Sequence, residues 1–152
     1  MALNLNTVLV QALLGFVSTA GFAILFNVPR RALLICALIG TLGHGLRFVL
    51  ISLGVVPEVA TFCGSLCVGL VGAWPAHKLN LPRIVFTVTG IIDLVPGIPA
   101  YQVLVYFSRN DIAGGLESAV KAGLITGAIV AGLSTARILT DRQWSRSDST
   151  HA

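Results

Sequence analysis

Three side chains carry chemistry in surroundings that otherwise offer little: His44, Arg47 and Asp93. All three lie inside long apolar runs. His44 and Arg47 belong to GTLGHGLRF, where Gly40, His44 and Arg47 are spaced four and three and share one helix face. Asp93 belongs to LPRIVFTVTGIIDLVPGIPAYQVLVYFS, residues 81–108, which Gly90, Pro96, Gly97 and Pro99 interrupt. Imidazole titrates near neutral pH, guanidinium attracts anionic groups, and a carboxylate in apolar surroundings can bind and release a proton. At membrane depth, beside broken backbone, such groups mark a place where cargo or a coupling ion is held. Blander readings stand beside this one. Arg47 could snorkel to an interface, His44 could make a structural interhelical hydrogen bond, and Asp93 with Arg47 could form a static pair.

These groups need a scaffold, and the composition says which kind. Of 152 residues, 55% are hydrophobic and 11% charged, with a mean hydropathy of +0.89. An average soluble domain is about 25% charged. Most of the chain therefore belongs in lipid, where repeated apolar runs of roughly 20 residues predict an all-α, polytopic membrane protein. The net charge of +4 is scattered over loops with no basic stripe, which speaks against nucleic acid. Cys36, Cys63 and Cys67 lie in apolar runs and read as small buried residues, not as metal ligands. No cofactor is implied. No GxxxxGK[ST] motif, paired carboxylates or nucleophile motif points to an enzyme. The start lacks the basic n-region of a signal peptide and reads as an uncleaved first span.

Five spans are predicted, at about 3–26, 32–53, 59–75, 81–108 and 116–139, followed by a polar cytoplasmic tail, 141–152, expected to be disordered from Thr140 on. The fourth would be broken at Pro96-Gly97. As one continuous helix it would measure about 42 Å, more than a bilayer core of roughly 30 Å needs. Pro96 and Pro99 each remove a backbone donor, and Gly97 relaxes the chain. Three stripes of small residues recur at four-residue spacing: Gly15, Thr19 and Ala23; Ser65, Gly69 and Ala73; Gly123, Gly127, Ala131 and Thr135. Each suits close helix contact. Gln11 is read as an interhelical hydrogen-bonding residue, Trp74 as an interfacial anchor, and Glu117 with Lys121 as an i,i+4 pair.

With five spans, one side of the membrane receives Arg30, Arg31, Lys78, Arg83, Arg137, Arg142 and Arg146, and the other Arg109 and Lys121. A re-entrant fourth segment would make the split less uneven. The positive-inside rule thus predicts an N-terminus outside and a C-terminus in the cytoplasm. Asp93 and His44 each fall 12 residues into their predicted spans, about 18 Å along a helix, which puts them level near the midplane with Arg47 one turn further out.

The run GFAILFNVPRRALLICALIGTLGHGLRFVL, with PRIVFTVTGIIDLVPGIPAY, resembles the threonine/serine exporter family, in particular its short YjjB-type membrane subunit. The FNVP turn, the GHG-x-R element and the VPG-x-x-AY break match in order, closely over Gly21–Tyr101 and loosely beyond. The resemblance implies a longer YjjP-type partner subunit in the bacterial inner membrane. It implies export of threonine and serine, or of succinate in the two-subunit form. By matching motif it marks Asn27, Pro29, His44, Arg47, Pro96, Gly97 and Tyr101. Asp93 departs from the family pattern, which often has Pro there, and this shifts weight towards His44 and Arg47. The expected function is one half of a secondary, proton-coupled exporter of small amino or dicarboxylic acids. The alternatives are a non-transporting structural or regulatory subunit, or a small uncoupled channel.

Overall fold

Four turns divide the chain, and all four are built alike. Asn27, Gly54, Asn80 and Asn110 have φ of 55°, 89°, 49° and 59°. Each follows the last residues of a helix, and the next residue's N–H reaches back to close it. Val28 donates to Ala23 O, Val55 to Leu50 O and Leu81 to Ala76 O at 3.0 Å, and Asp111 to Tyr106 O at 2.9 Å. This is the Schellman arrangement, which satisfies helix-end carbonyls through one left-handed residue. Glycine adopts that conformation freely, and asparagine more readily than most side chains. Pro29, Pro57 and Pro82 then start the next helix, where a missing N–H costs nothing. Two of the turns share a sequence as well, Asn27-Val28-Pro29-Arg30 and Asn80-Leu81-Pro82-Arg83.

The computed structural model describes residues 5–148, and its regular elements there are all helical. They are α1 (Leu5–Leu25), α2 (Arg30–Ser52), α3 (Pro57–Lys78), α4 (Arg83–Ile91), a 3-10 turn (Ile92–Leu94), α5 (Gly97–Ser108) and α6 (Ile112–Asp148). Four segments are long and apolar enough to cross a membrane: Leu5–Leu25, Arg30–Ser52, Pro57–Lys78 and Ile112–Asp141. The fifth is the pair Arg83–Leu94 and Gly97–Ser108, bent by 51°. Helix α6 decides between a broken span and a re-entrant loop. Arg83 pairs with Asp141 near one end of α6, while Phe107 lies against Gly115 near the other. Those two points on α6 are separated by about 39 Å of helix. The broken segment therefore runs the length of α6 and does not turn back.

The break starts earlier than Pro96-Gly97. Regular α-helix stops at Ile91, three residues tighten into the 3-10 turn, and Val95 is extended at φ −60°, ψ 133°. Pro96 explains this. Its ring disfavours helical geometry at the preceding residue, and it cannot donate to Ile92 O. Pro99 takes no part, because it lies in the first turn of α5, where N–H groups have no helical acceptor.

Helix α3 extends to Lys78, past the predicted end at Pro75, and Lys78 lies 4.9 Å from the Trp74 ring in a cation–π contact. Helix α6 likewise continues to Asp148, through residues expected to be disordered, and the ion pair of Asp141 with Arg83 of α4 ties the start of that stretch to the bundle. Leu3 and the last four residues of the tail lie outside the described residues.

Helix α2 is central, packing on α1, α3 and α4, and α3 also packs on α4 and α6. Ala23, Ala32, Cys36, Ile39, Val68, Ala76 and Phe86 fill the space between α1 and α4 at the arginine-rich end. Helix α5 buries no residue and packs essentially on α6. Two of the three small-residue stripes do what their spacing predicts: Gly15, Thr19 and Ala23 are buried, as are Ser65, Gly69 and Ala73. The third differs. A Cβ built on Gly123 or Gly127 meets nothing within 4 Å, so this part of α6 faces outward.

Candidate functional site

The polar side chains inside the bundle form a ladder between α1, α2 and the break. At its foot is Asp93, in the 3-10 turn. Ser18 Oγ donates to Asp93 Oδ1 at 2.5 Å and Thr19 Oγ1 to Oδ2 at 3.1 Å. Thr19 is fully buried. Glycine makes this approach possible, since a Cβ on Gly40 of α2 would collide with the Thr19 side chain. Helix α1 can thus lie close enough for two hydroxyls to grip the carboxylate. A hydrogen bond to a charged group contributes roughly 1.5–3 kcal/mol, which offsets much of the cost of placing Asp93 there.

One turn along α2, His44 lies against Gly15, whose added Cβ would be 3.3 Å from the ring. His44 Nε2 donates to Gln11 Oε1 at 3.1 Å. Its other ring nitrogen, Nδ1, is buried and has no hydrogen-bond partner among the described residues. His44 is close enough to both Asp93 and Arg47 to feel their charges. One turn further, Arg47 Nε donates to Thr61 Oγ1 of α3 at 2.9 Å, and Thr61 passes its own proton to Pro57 O at 2.7 Å. Among the described residues no ion pair joins Arg47 to Asp93. The carboxylate is held by neutral hydroxyls, and the static Asp93–Arg47 pair is not formed.

The three groups are not level. Pro29 and Pro82 set the helix starts at Arg30 and Arg83, so His44 lies 14 residues into α2 and Asp93 ten residues from the start of α4. The difference is one turn, about 6 Å. Counting from Ala32 and Leu81 hid it.

The other motif residues are placed elsewhere. Pro96 is buried directly after the turn that carries Asp93, while Gly97 is exposed and a Cβ there meets nothing within 4 Å. Tyr101 lies on the open face of α5, 67% exposed. Asn27 is exposed in its turn, about 13 Å along the axis of α1 from Ser18, and its visible work is to end a helix. The sequence reading missed Ser18, and it took Thr19 only for a packing residue. The available signal was the polar side of α1, where Gln11, Gly15 and Thr19 recur every four residues with Ser18 beside them. Gln11 does make the interhelical hydrogen bond expected of it.

Bundle, broken span and ladder agree with one comparison. The family model described as Threonine/Serine exporter, ThrE matches residues 11–139. The chain belongs to the threonine/serine exporter family. The matched stretch of this exporter-family chain begins at Gln11 and takes in the whole ladder and the break. It ends at Leu139, just before Thr140 and Asp141. Its role is thus of the exporter type, in a multi-pass membrane protein. No solved structure matches the chain.

Proposed function

We propose that this chain is the short, YjjB-type half of a proton-coupled exporter in the bacterial inner membrane, with its N-terminus outside and its C-terminus in the cytoplasm. Its cargo is a small amino acid such as threonine or serine, or a dicarboxylate such as succinate. The observation that carries the proposal is the grip of Ser18 and Thr19 on Asp93 at the point where the fourth span breaks. Two hydroxyl donors hold a carboxylate beside broken backbone, the setting in which transporters keep a coupling ion or cargo. His44 Nδ1, one turn away and without a partner among the described residues, is a second site able to take a proton. Asp93 with His44 makes the coupling pair, and Arg47 at the top of the ladder attracts the anionic group of the cargo. The Pro96-Gly97 break gives α4 and α5 freedom to change their angle.

A partner of the longer YjjP type completes the unit. Two features support this. Gly123 and Gly127 offer an outward small-residue face of the kind that helices in membranes use for close contact. Helix α5 leaves Ile98, Tyr101 and Leu104 exposed beside the break. On this reading Tyr101 meets the partner or cargo, and Asn27 is a cap.

The test is efflux from proteoliposomes that hold the chain with its longer partner, under an imposed pH gradient. Gradient-dependent threonine, serine or succinate efflux that Asp93→Asn abolishes at normal protein levels supports the proposal. Full activity of Asp93→Asn removes the carboxylate from coupling. Efflux by the partner alone makes this chain a structural subunit, and gradient-independent flux makes it a channel.

A further inference from the structure

A second place in the molecule gathers charges of both signs around open space. Helices α4 and α6 both pack on α3, yet they meet each other mainly through Arg83. Between them lies a cavity of about 620 Å³, at the arginine-rich end of the bundle. Gly69 of α3, Arg83 and Thr87 of α4, and Ser134, Arg137 and Asp141 of α6 line it. Its size is in the usual range for small-molecule sites, about 300–1,000 Å³.

The charges there are unequally held. Arg83 Nη1 pairs with Asp141 Oδ1 at 2.8 Å and donates to Thr140 Oγ1 at 2.9 Å, and its side chain is 28% exposed. It is a fixed strut. Arg137 Nε stands 3.5 Å from Asp141 Oδ2 with its side chain 80% exposed, a long contact made by an exposed arm. Each partner of the long contact can therefore turn to a ligand without undoing the strut. Arg137 can take a carboxylate in a two-pronged grip, and Asp141 Oδ2 can take an ammonium. Thr87 Oγ1 is 3.1 Å from Arg83 O, to which it donates, and it still accepts a hydrogen bond.

We infer that this cavity is a loading site for a small zwitterion, one carboxylate and one ammonium a few ångströms apart, ahead of the polar ladder. The inference rests on the exporter proposal and deepens it, because it selects between the two cargo classes. A dicarboxylate would set its second carboxylate against Asp141, a like-charge contact, whereas an α-amino acid matches both signs. The zwitterion has two possible sources, free amino acid or the phosphate and ammonium of a phosphatidylethanolamine headgroup.

The experiment measures binding of labelled threonine, and its competition by serine and succinate, to the full chain in phosphatidylcholine nanodiscs. The wild type and Arg31→Gln, an arginine at the same end but outside the cavity, are expected to bind threonine alike. Arg137→Gln and Asp141→Asn are each expected to bind about tenfold more weakly, the size of one lost charge-assisted hydrogen bond. Arg137 is exposed, so its variant folds whether or not Asp141→Asn does. Asp141→Asn should also compete better with succinate. Unchanged threonine affinity in Arg137→Gln, or tighter succinate than threonine binding in the wild type, overturns the inference. So does threonine displacement by phosphatidylethanolamine discs that vanishes in Arg137→Gln, which makes the headgroup the occupant. Efflux distinguishes the two levels. Normal wild-type efflux with unaltered binding in both variants defeats only the loading site. Threonine binding that depends on Arg137, without any efflux, defeats only the exporter proposal.

Discussion

Gly132 and Gly127 lie on the same helix, yet alanine should have opposite effects at the two positions. At Gly132 an added Cβ would run into Ser65 Oγ and stand 2.7 Å from Phe62 O and 3.0 Å from Leu66 N. Ordinary contact begins near 3.4 Å, so α6 must retreat from α3 by at least about 0.7 Å, the difference 3.4 − 2.7 for the Phe62 carbonyl alone. Ser65 cannot simply rotate away, because its hydroxyl is engaged with Phe62 O at 3.0 Å and Ala128 O at 3.4 Å. Overpacking of this kind costs roughly 1–3 kcal/mol. Against it stands the better helix propensity of alanine, worth up to about 1 kcal/mol. At Gly127 only the propensity remains, since nothing lies within 4 Å. The propensity gain is common to both variants, so their difference isolates the clash, about 1–3 kcal/mol. Equilibrium unfolding in detergent, followed by circular dichroism, measures it. Stabilities of Gly132→Ala and Gly127→Ala within about 0.5 kcal/mol of each other would refute the claim that α3 and α6 touch backbone to backbone.

Ser18→Ala removes one of two donors from Asp93 and should lower efflux several-fold at unchanged protein level, with Ser18→Thr restoring most of it. Equal rates for alanine and wild type in the reconstituted exporter would argue against the grip. Asn27→Ala forces an ordinary side chain into a left-handed conformation and should cost about 1–2 kcal/mol in detergent unfolding. Asn27→Gly should be neutral, and efflux per folded molecule should not change in either; a lower rate in Asn27→Gly would show a role beyond capping. Pro96→Ala returns a backbone donor and should reduce the 51° bend, read as a longer spin-label distance between positions 84 and 104, while efflux falls. An unchanged distance would mean that packing on α6, not the proline, holds the angle.

Much of this molecule is legible in its sequence because lipid imposes simple rules. Apolar length gives the spans, proline and asparagine give the turns, and small residues four apart give two of the helix contacts. What escaped was phase and company. That Pro99 is harmless and Pro96 is not depends on where α5 starts, which no single residue states. The height of His44 relative to Asp93 depends on helix starts two residues away from where hydropathy puts them. Ser18 and Thr19 found their partner 75 and 74 residues later in the chain, a pairing that only packing brings about. Charge alone pointed to Arg47 as the partner of Asp93, but the hydroxyls of α1 reach it first. The outward direction of the Gly123–Gly127 face was equally hidden, because a stripe reads the same whether or not a neighbour covers it.

The repeated Asn-x-Pro-Arg turn gives the chain a common zero from which depth is counted. Thirteen residues after Asn27 comes Gly40, and thirteen after Asn80 comes Asp93. Both meet Thr19, one as a gap that admits it and the other as the acceptor of its hydroxyl. The alignment is thus a matter of helical phase, fixed by where each helix is started. One residue inserted between Pro82 and Gly90 would turn the carboxylate about 100° around its axis and lift it by 1.5 Å. Every residue type would be kept, and Asp93 would no longer face α1. In this chain the turns at one end of the bundle act as a ruler for the polar ladder inside it.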